Sequence, residues 1–447
     1  MLERMAGPDR PQPVRYGTVP NSMTPAPDGS TYGTAPRPGR SRAVPSPSGR
    51  YAPAGGRYGP GGMMSGSYAG APGTGAESSA RFTGEESTGP AGKPGTGSAE
   101  ETGGRRRRRS CRALPAGRPV GLFCGLTVVD VIQLVEAPPE PDEKIVALDQ
   151  LVAAGGPATN AAVAFAALGG RAILAAPVGA GPLAELVRAD LAATGVELID
   201  CAALGPAGTD TPDPTASPAP GLSVSSCTIT ASTGARSVVS TNARTATDPA
   251  ALDVYASRAG DGREPPPDVV LIDGHNPALA ALALDLAAGA DAFTVMDAGS
   301  WKDDAADLPG RCDVVAASAR FYPPGPAGPL TGPAEAARWL REAGAGGVVI
   351  TRGARPALWW CTADHAESRT GGHDGIHGSV IPPQVEVADT LGAGDVFHGA
   401  LAHALAHVTP GRLTGAGLAA AVERACVIAA TSTEVFGTRA WRQRLET

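Results

Sequence analysis

The chain has 447 residues and a formal net charge of −7, with 42% hydrophobic and only 4% aromatic residues. Charge is unevenly placed: the first 110 residues carry 15 Lys+Arg and 8 Asp+Glu, a net of +7 that leaves −14 for the rest. An acidic body argues against a nucleic-acid enzyme, and the run Arg105–Arg109 reads first as a solvated linker and second as a contact for nucleic acid or anionic lipid.

Residues 1–115 are mostly Gly, Pro, Ser, Thr and Ala without apolar periodicity. Such a segment buries too little surface to offset chain entropy, so a disordered basic leader is expected. A translation start further downstream is the other reading. Residues 116–447 suit one α/β domain with a sizeable core. No stretch approaches the ~18 apolar residues of a membrane span, and the N-terminus lacks an apolar signal region. Seven cysteines (111, 124, 201, 227, 312, 361, 426) fall singly, which fits reduced thiols in a cytoplasmic protein better than a disulfide frame or zinc site.

From Val120, VGLFCGLTVVDVIQLV predicts a buried strand broken at Gly125 and ending near Asp130. An acid at the carboxyl end of a first strand lies where open α/β sheets bind ligands. Lys144–Leu148 alternates and suggests a strand leaving the main sheet; Lys144 is a candidate contact for a polar or anionic ligand end, or a surface lysine. Gly155 and Gly156 precede the helix that carries Asn160, so a ligand can approach the backbone beside a side chain able to donate and accept. Ile173–Gly179 reads as a strand, Leu183–Thr194 as a helix, Val196–Cys201 as a strand and residues 205–221 as an exposed Pro-rich loop. Ser223–Thr230 and Arg236–Thr241 form a hairpin pattern.

Strands are then predicted at Val269–Asp273, Phe293–Asp297 and Cys312–Ala316, with a helix at Ala278–Ala288. His275 is either a loop residue or a ligand contact. Gly347–Gly353 is a further buried strand with Thr351 and Gly353 at its end, Trp359 and Trp360 read as packing residues, and Leu418–Thr431 as a helix. His373 and His377 have a metal-pair spacing but no third ligand nearby, and loop residues are the favoured reading. The alternation predicts a doubly wound, mainly parallel α/β sheet. No GxxxxGK[ST] occurs, which argues against a Walker-type ATPase, and no strand-following GxGxxG with an acid downstream supports a dinucleotide site.

The most informative string is Asp389-Thr390-Leu391-Gly392-Ala393-Gly394-Asp395. Val385–Ala388 alternates like a strand entering a site, and Val396–His407 reads as an Ala-rich helix. Free N–H groups at that helix start form an anion pocket. Asp395, in the first turn beside the anion, is placed to take a proton from a hydroxyl attacking phosphorus. A plain helix start with Asp in its first turn is the alternative.

This string, with GGPATN upstream, resembles the signatures of the ribokinase-like (PfkB) family of carbohydrate and nucleoside kinases, over about residues 119–445. The resemblance implies a ribokinase-like fold with a small β lid near 131–150 and 221–241. It also implies a sugar substrate, ATP and Mg²⁺ as cofactors, and it admits a homodimer through the lid. Asp395 would be the catalytic base and Gly392, Ala393 and Gly394 the anion hole. Asp130, Gly155, Gly156, Asn160 and Lys144 would hold the acceptor. Thr351, Gly353, Thr390 and Gly437 would lie by the nucleotide, near the terminal segment Phe436–Ala440. GGPATNAAVA, EKIVA and GAGDVFHGA look most similar to ketohexokinase-like and sulfofructose-kinase-like members. The latter place an arginine where His275 aligns, so no sulfonated substrate is assigned.

One departure leaves the metal ligands unassigned: Ser318-Ala319-Arg320-Phe321 lacks the acid that many relatives carry. A second lies in the segment that resembles the one beside the nucleotide phosphates, where Pro356 stands in place of a usual second glycine. ATP-dependent phosphorylation of a small sugar is the expected function, with a nucleoside kinase or a non-catalytic sugar-binding relative as alternatives. Removing the first 110 residues is expected to leave a folded domain with a cooperative thermal transition. Loss of that transition would place the leader inside the domain.

Overall fold

The computed structural model describes residues 117–203, 221–362, 376–408 and 412–445. The leader to residue 115, the loop at 205–220 and His373 lie outside the described residues. The elements run β1 (Val120–Cys124), β2 (Val128–Val135), β3 (Asp149–Gly155), α1 (Pro157–Ala167), β4 (Arg171–Ala176), α2 (Pro182–Thr194) and β5 (Val196–Asp200). Next come β6 (Val224–Thr230), β7 (Ala235–Ser240), α3 (Ala250–Gly260), β8 (Val269–Ile272), α4 (Pro277–Ala290), β9 (Phe293–Ala298) and β10 (Val314–Ser318). The chain ends with α5 (Pro333–Glu342), β11 (Gly347–Arg352), β12 (Arg355–Cys361), β13 (Ile376–Val380), α6 (Ala393–Leu405), α7 (Gly415–Ser432) and a 3-10 turn at Ala440–Leu445.

Short apolar runs such as VGLFC, RAILAA and VVLI are buried throughout or nearly so, as parallel strands covered by helices on both faces require. They form a nine-stranded sheet in the order β13-β12-β11-β10-β9-β8-β1-β4-β5, parallel except for β12, which pairs antiparallel with both β11 and β13. Alternate residues feed two cores. Phe123, Leu174, Leu271 and Val295 pack with residues of α1, α2, α6 and α7. Leu122, Ile173, Val270 and Ile272 pack with residues of α3, α4 and α5. The result is a doubly wound α/β domain. Helices α1, α2, α4 and α5 each open on a proline, which suits a first helical position whose N–H has no intrahelical partner. No helix among the described residues is long and apolar enough to cross a membrane.

The first strand differs from its prediction. The chain leaves the large sheet after Cys124, and β2 enters a separate four-stranded sheet, β3-β2-β6-β7. Gly125 makes the departure possible, because a Cβ there would run into the Asp273 carboxylate. That carboxylate accepts from the N–H groups of Leu126 (2.8 Å), Ala158 (3.2 Å) and His275 (3.0 Å), and so ties the kink to the start of α1. Asp130 is therefore mid-strand in the small sheet, opposite Ala153, and not at the end of a core strand.

Other differences have equally local causes. Lys144–Leu148 is not a strand; β3 starts at Asp149, and Leu148 N–H alone extends the pairing, to Leu134 O at 2.7 Å. Val385–Ala388 joins no ladder, and the N–H groups of Ala388 and Asp389 go instead to the Thr433 carbonyl at 2.8 and 3.1 Å. Pro356 lies at the register irregularity between β11 and β12, where a missing N–H removes no ladder bond. Helices α3 and α5 were not read from the sequence at all.

Helices α1 and α6 touch at Gly399, where a Cβ would collide with the Ala161 carbonyl oxygen. This contact sets the spacing of the helices that carry Asn160 and Asp395. Gly399→Ala is expected to destabilise the fold by roughly 1–3 kcal/mol through overpacking, read as a lowered urea midpoint. An unchanged midpoint would show that the two helices separate freely.

Candidate active site

Helix α6 begins in an unusual way. Gly392 takes the left-handed conformation (φ 74°), and no side chain caps the first turn. Ala393 N–H reaches Thr390 O only at 3.5 Å, and the N–H groups of Gly394 and Asp395 meet no backbone acceptor among the described residues. A Cβ on Gly394 would meet nothing within 4 Å, so the space in front of the helix is open. Unpaired donors with the positive end of the helix dipole behind them suit an anion.

Asp395 lies half-buried at this opening and accepts from Asn160 Nδ2 at 2.9 Å. Withdrawal from water and the nearby Asp297 carboxylate push its pKa up to about 7, against Asn160, His398 and Arg236, which favour the charged form. One turn along α6, buried His398 faces an acceptor with each ring nitrogen: Asp297 Oδ2 lies 3.0 Å from Nδ1 and Ala316 O lies 3.1 Å from Nε2. Burial alone would lower its pKa, but Asp297, Asp395 and the Ala316 carbonyl outweigh that and raise it. Sequence reading missed both His398 and Asp297. The available signal was the i,i+3 spacing of Asp395 and His398, which puts them on one helix face.

The two other polar residues of the signature have structural partners. Asp389, only 2% exposed, accepts from Leu391 N–H at 2.7 Å and Gly437 N–H at 2.9 Å, and burial raises its pKa against those bonds. Thr390 donates from Oγ1 to Gly234 O at 2.8 Å, and its own carbonyl accepts from Arg236 Nη1 at 2.7 Å. The signature loop is thus tied to the β6–β7 turn and to the terminal segment.

In the small sheet, Asp130 is buried beside Gly155, where a Cβ would clash with its carboxylate. Burial pushes its pKa up to about 6, against a Ser225 hydrogen bond and the charge of Arg439. Gly156 (φ 101°) passes so close to the Leu126 carbonyl that a side chain is excluded. Lys144 is exposed on the 136–148 connection, with no hydrogen bond or ion pair among the described residues. Thr351 and Gly353 lie at the carboxyl end of β11, Thr351 Oγ1 donating to Ala317 O at 3.3 Å. Neither is bonded to α6. A groove of about 780 Å³ lies elsewhere, lined by Asp149, Leu151, Phe436, Arg439 and Arg442; none of Gly392–Asp395 borders it, so volume alone does not mark the site. Among the described residues, no group of three His, Cys, Asp or Glu could hold a metal.

Residues 270–444 match the family model of the pfkB family carbohydrate kinases. Solved structures share the architecture at low identity. A ribokinase from Giardia lamblia is 15% identical, with a TM-score of 0.56 over 73% of this chain and 98% of its own. A microbiome-derived acarbose kinase is 21% identical, with a TM-score of 0.53 over 74% and 99%. An Arabidopsis thaliana ribokinase, complexed with ribose and ATP, is 17% identical, with a TM-score of 0.50 over 74% and 98%. Residues 270–444 carry the pfkB-family pattern, and the fold is ribokinase-like.

Asp389→Asn keeps one acceptor oxygen and loses the other, leaving Leu391 or Gly437 N–H without its partner. A loss of about 1–3 kcal/mol in unfolding free energy is expected by denaturant titration. A parent-like midpoint would remove Asp389 as the staple between signature and terminal segment.

Proposed function

We propose that the chain is an ATP-dependent kinase that phosphorylates a hydroxyl of a small sugar or sugar derivative. One observation carries this reading: a carboxylate with a pKa near 7, Asp395, sits in the first turn of a helix whose leading N–H groups face open space. A general base works best with a pKa near the working pH, and phosphoryl transfer needs positioned donors more than covalent chemistry. Asp395 takes the proton of the acceptor hydroxyl as its oxygen attacks, and the N–H groups of the Gly392–Gly394 turn stabilise charge on the moving phosphoryl oxygens. Asp130, beside Gly155, accepts from other hydroxyls of the acceptor. The pfkB-family match and the sugar-kinase neighbours support the same class of acceptor.

ATP supplies the phosphoryl group when bound. The open start of α6 fits its phosphates, with Thr351 and Gly353 at the same sheet edge; Thr390 and Gly437 frame the turn through their bonds to Gly234 and Asp389. Mg²⁺ fits less directly, because the described residues offer no three-ligand carboxylate or histidine set. A metal held mainly by phosphates and water needs few protein oxygens.

The small sheet serves as the lid. One face carries Arg236 to the signature loop; the other presents the row Val131, Val152, Ser226 and Val239, with Val239 76% exposed, on which a second copy would pack. A cytoplasmic location belongs to the same proposal.

Asp395→Asn is expected to lower kcat by about 10²–10⁴ while ATP and acceptor binding persist, measured by ADP release and by calorimetry. Sugars and nucleosides screened in the same assay separate a sugar kinase from a nucleoside kinase. Substantial turnover by Asp395→Asn would refute the base assignment. Absence of turnover by the parent with every acceptor would favour a binding protein.

A further inference from the structure

Asn160 has its two amide atoms engaged by different elements. Its Oδ1 accepts from Arg439 Nη1 at 3.1 Å, and its Nδ2 donates to Asp395 Oδ2 at 2.9 Å. The orientation is unambiguous, since a guanidinium has only donors and so must face the amide oxygen. The flipped amide would set NH₂ against the guanidinium and oxygen against the carboxylate, two repulsive contacts in place of two attractive ones.

Arg439 is itself held from three sides. Nη2 and Nε reach Asp190 Oδ2 on α2 at 2.9 and 3.2 Å, Nη2 also donates to the Ala154 carbonyl in β3, and Nη1 is shared with Thr438 O at 3.1 Å. The two charged side chains are only 14% and 21% exposed. Asp190 also accepts from Ala154 N–H at 3.2 Å, so the ion pair joins α2 to the end of β3. A planar fork that reaches a carboxylate, a carbonyl and an amide oxygen together is a task for arginine, not lysine.

We propose that Arg439 is a positioning residue for phosphoryl transfer: braced by Asp190, it locks the Asn160 amide so that Nδ2 holds Asp395 Oδ2 and leaves Oδ1 to meet the acceptor hydroxyl. This rests on the reading of Asp395 as the base. The resemblance of Phe436–Ala440 to a nucleotide-side segment gives no hint of it, because Arg439 turns its donors to the acceptor side. It touches no reacting atom; it acts on Asp395 through Asn160, and its charge also favours the ionised form of Asp130.

The other charged groups facing Asp395 are Asp297 on β9, His398 on α6 and Arg236 on β7, and all remain when Arg439 is replaced. Loss of the Arg439 charge would raise the midpoint by itself, so the part of the shift that disappears in the Asn160→Ala background is what reports the loss of the Asn160 donation. A hydrogen bond to the charged form holds a carboxyl pKa down, so its loss moves the midpoint upward.

The test uses the full chain with aspartate ¹³C-labelled at the side-chain carboxyl, the Asp395 signal being the one absent from Asp395→Asn. The parent midpoint is expected at about 7. Asn160→Ala and Arg439→Met should each raise it by about one pH unit, and the double variant by less than their sum. Arg439→Lys, which keeps a cation for Asp190 but loses the fork, should fall between parent and Arg439→Met. A simple structural staple would lower the melting temperature without moving the midpoint. A parent-like midpoint in Arg439→Met, or a shift that adds in full to that of Asn160→Ala, overturns the proposal. Should Arg439→Met not fold, Asp190→Asn takes its place: an upward shift supports the relay and a parent-like midpoint overturns it. The titration needs no turnover, so failure of the kinase reading and failure of the relay appear separately. Once an acceptor is found, the acid limb of kcat should follow the midpoint with KM for ATP unchanged.

Discussion

The site depends on the distance between α1 and α6. Gly399 lets α6 lie against the Ala161 carbonyl, and at that separation Asn160 Nδ2 meets Asp395 Oδ2 at 2.9 Å. Any side chain at Gly399 pushes against backbone, which cannot rotate away. Both helices sit on the same face of the sheet and share the core built around Phe123, Phe165 and Leu401. Core packing and site geometry are thus a single constraint. A close-packed interior passes small displacements on instead of absorbing them.

Electrostatics acts within that frame. Asp297 and Asp395 are two carboxylates near one another, and buried like charges raise at least one pKa. His398 sits between the demands of both, with each ring nitrogen on an acceptor, and a positive ring there offsets part of the repulsion. Asp395 emerges near 7 because desolvation and Asp297 exceed the combined help of Asn160, His398 and Arg236. Asp389 is a contrast six residues upstream. It is buried too, but each oxygen has a backbone donor, so it holds the turn in place.

How much of this could be read in the sequence depended on whether the cause was local. The parallel strands were legible because runs such as VVLI admit little else, and the signature turn because Gly-Ala-Gly before an Ala-rich helix is a local pattern. The break after Cys124 was only half visible. Gly125 marks it, but the reason is the Asp273 carboxylate 148 positions later in the chain, which also fixes the start of α1. Val385–Ala388 alternates like a strand, yet its amides found Thr433 instead of a neighbouring strand. Arg439 could not have been assigned from spacing at all, since its partners come from α1, α2 and β3. Lys144 shows the reverse error, a plausible residue in a plausible segment that the fold leaves on the surface.

The environment of α6 raises Asp395 to a pKa of about 7, where the proposed base would be poised near neutral pH. The most direct measurement is the pH dependence of kcat for the full chain, with whichever acceptor supports ADP release. Only the deprotonated carboxylate accepts the hydroxyl proton, so activity should be full above the midpoint and fall tenfold per pH unit below about 7. A rate that stays flat down to pH 5, as a base with an ordinary carboxylate pKa near 4 would give, would contradict a raised Asp395 pKa.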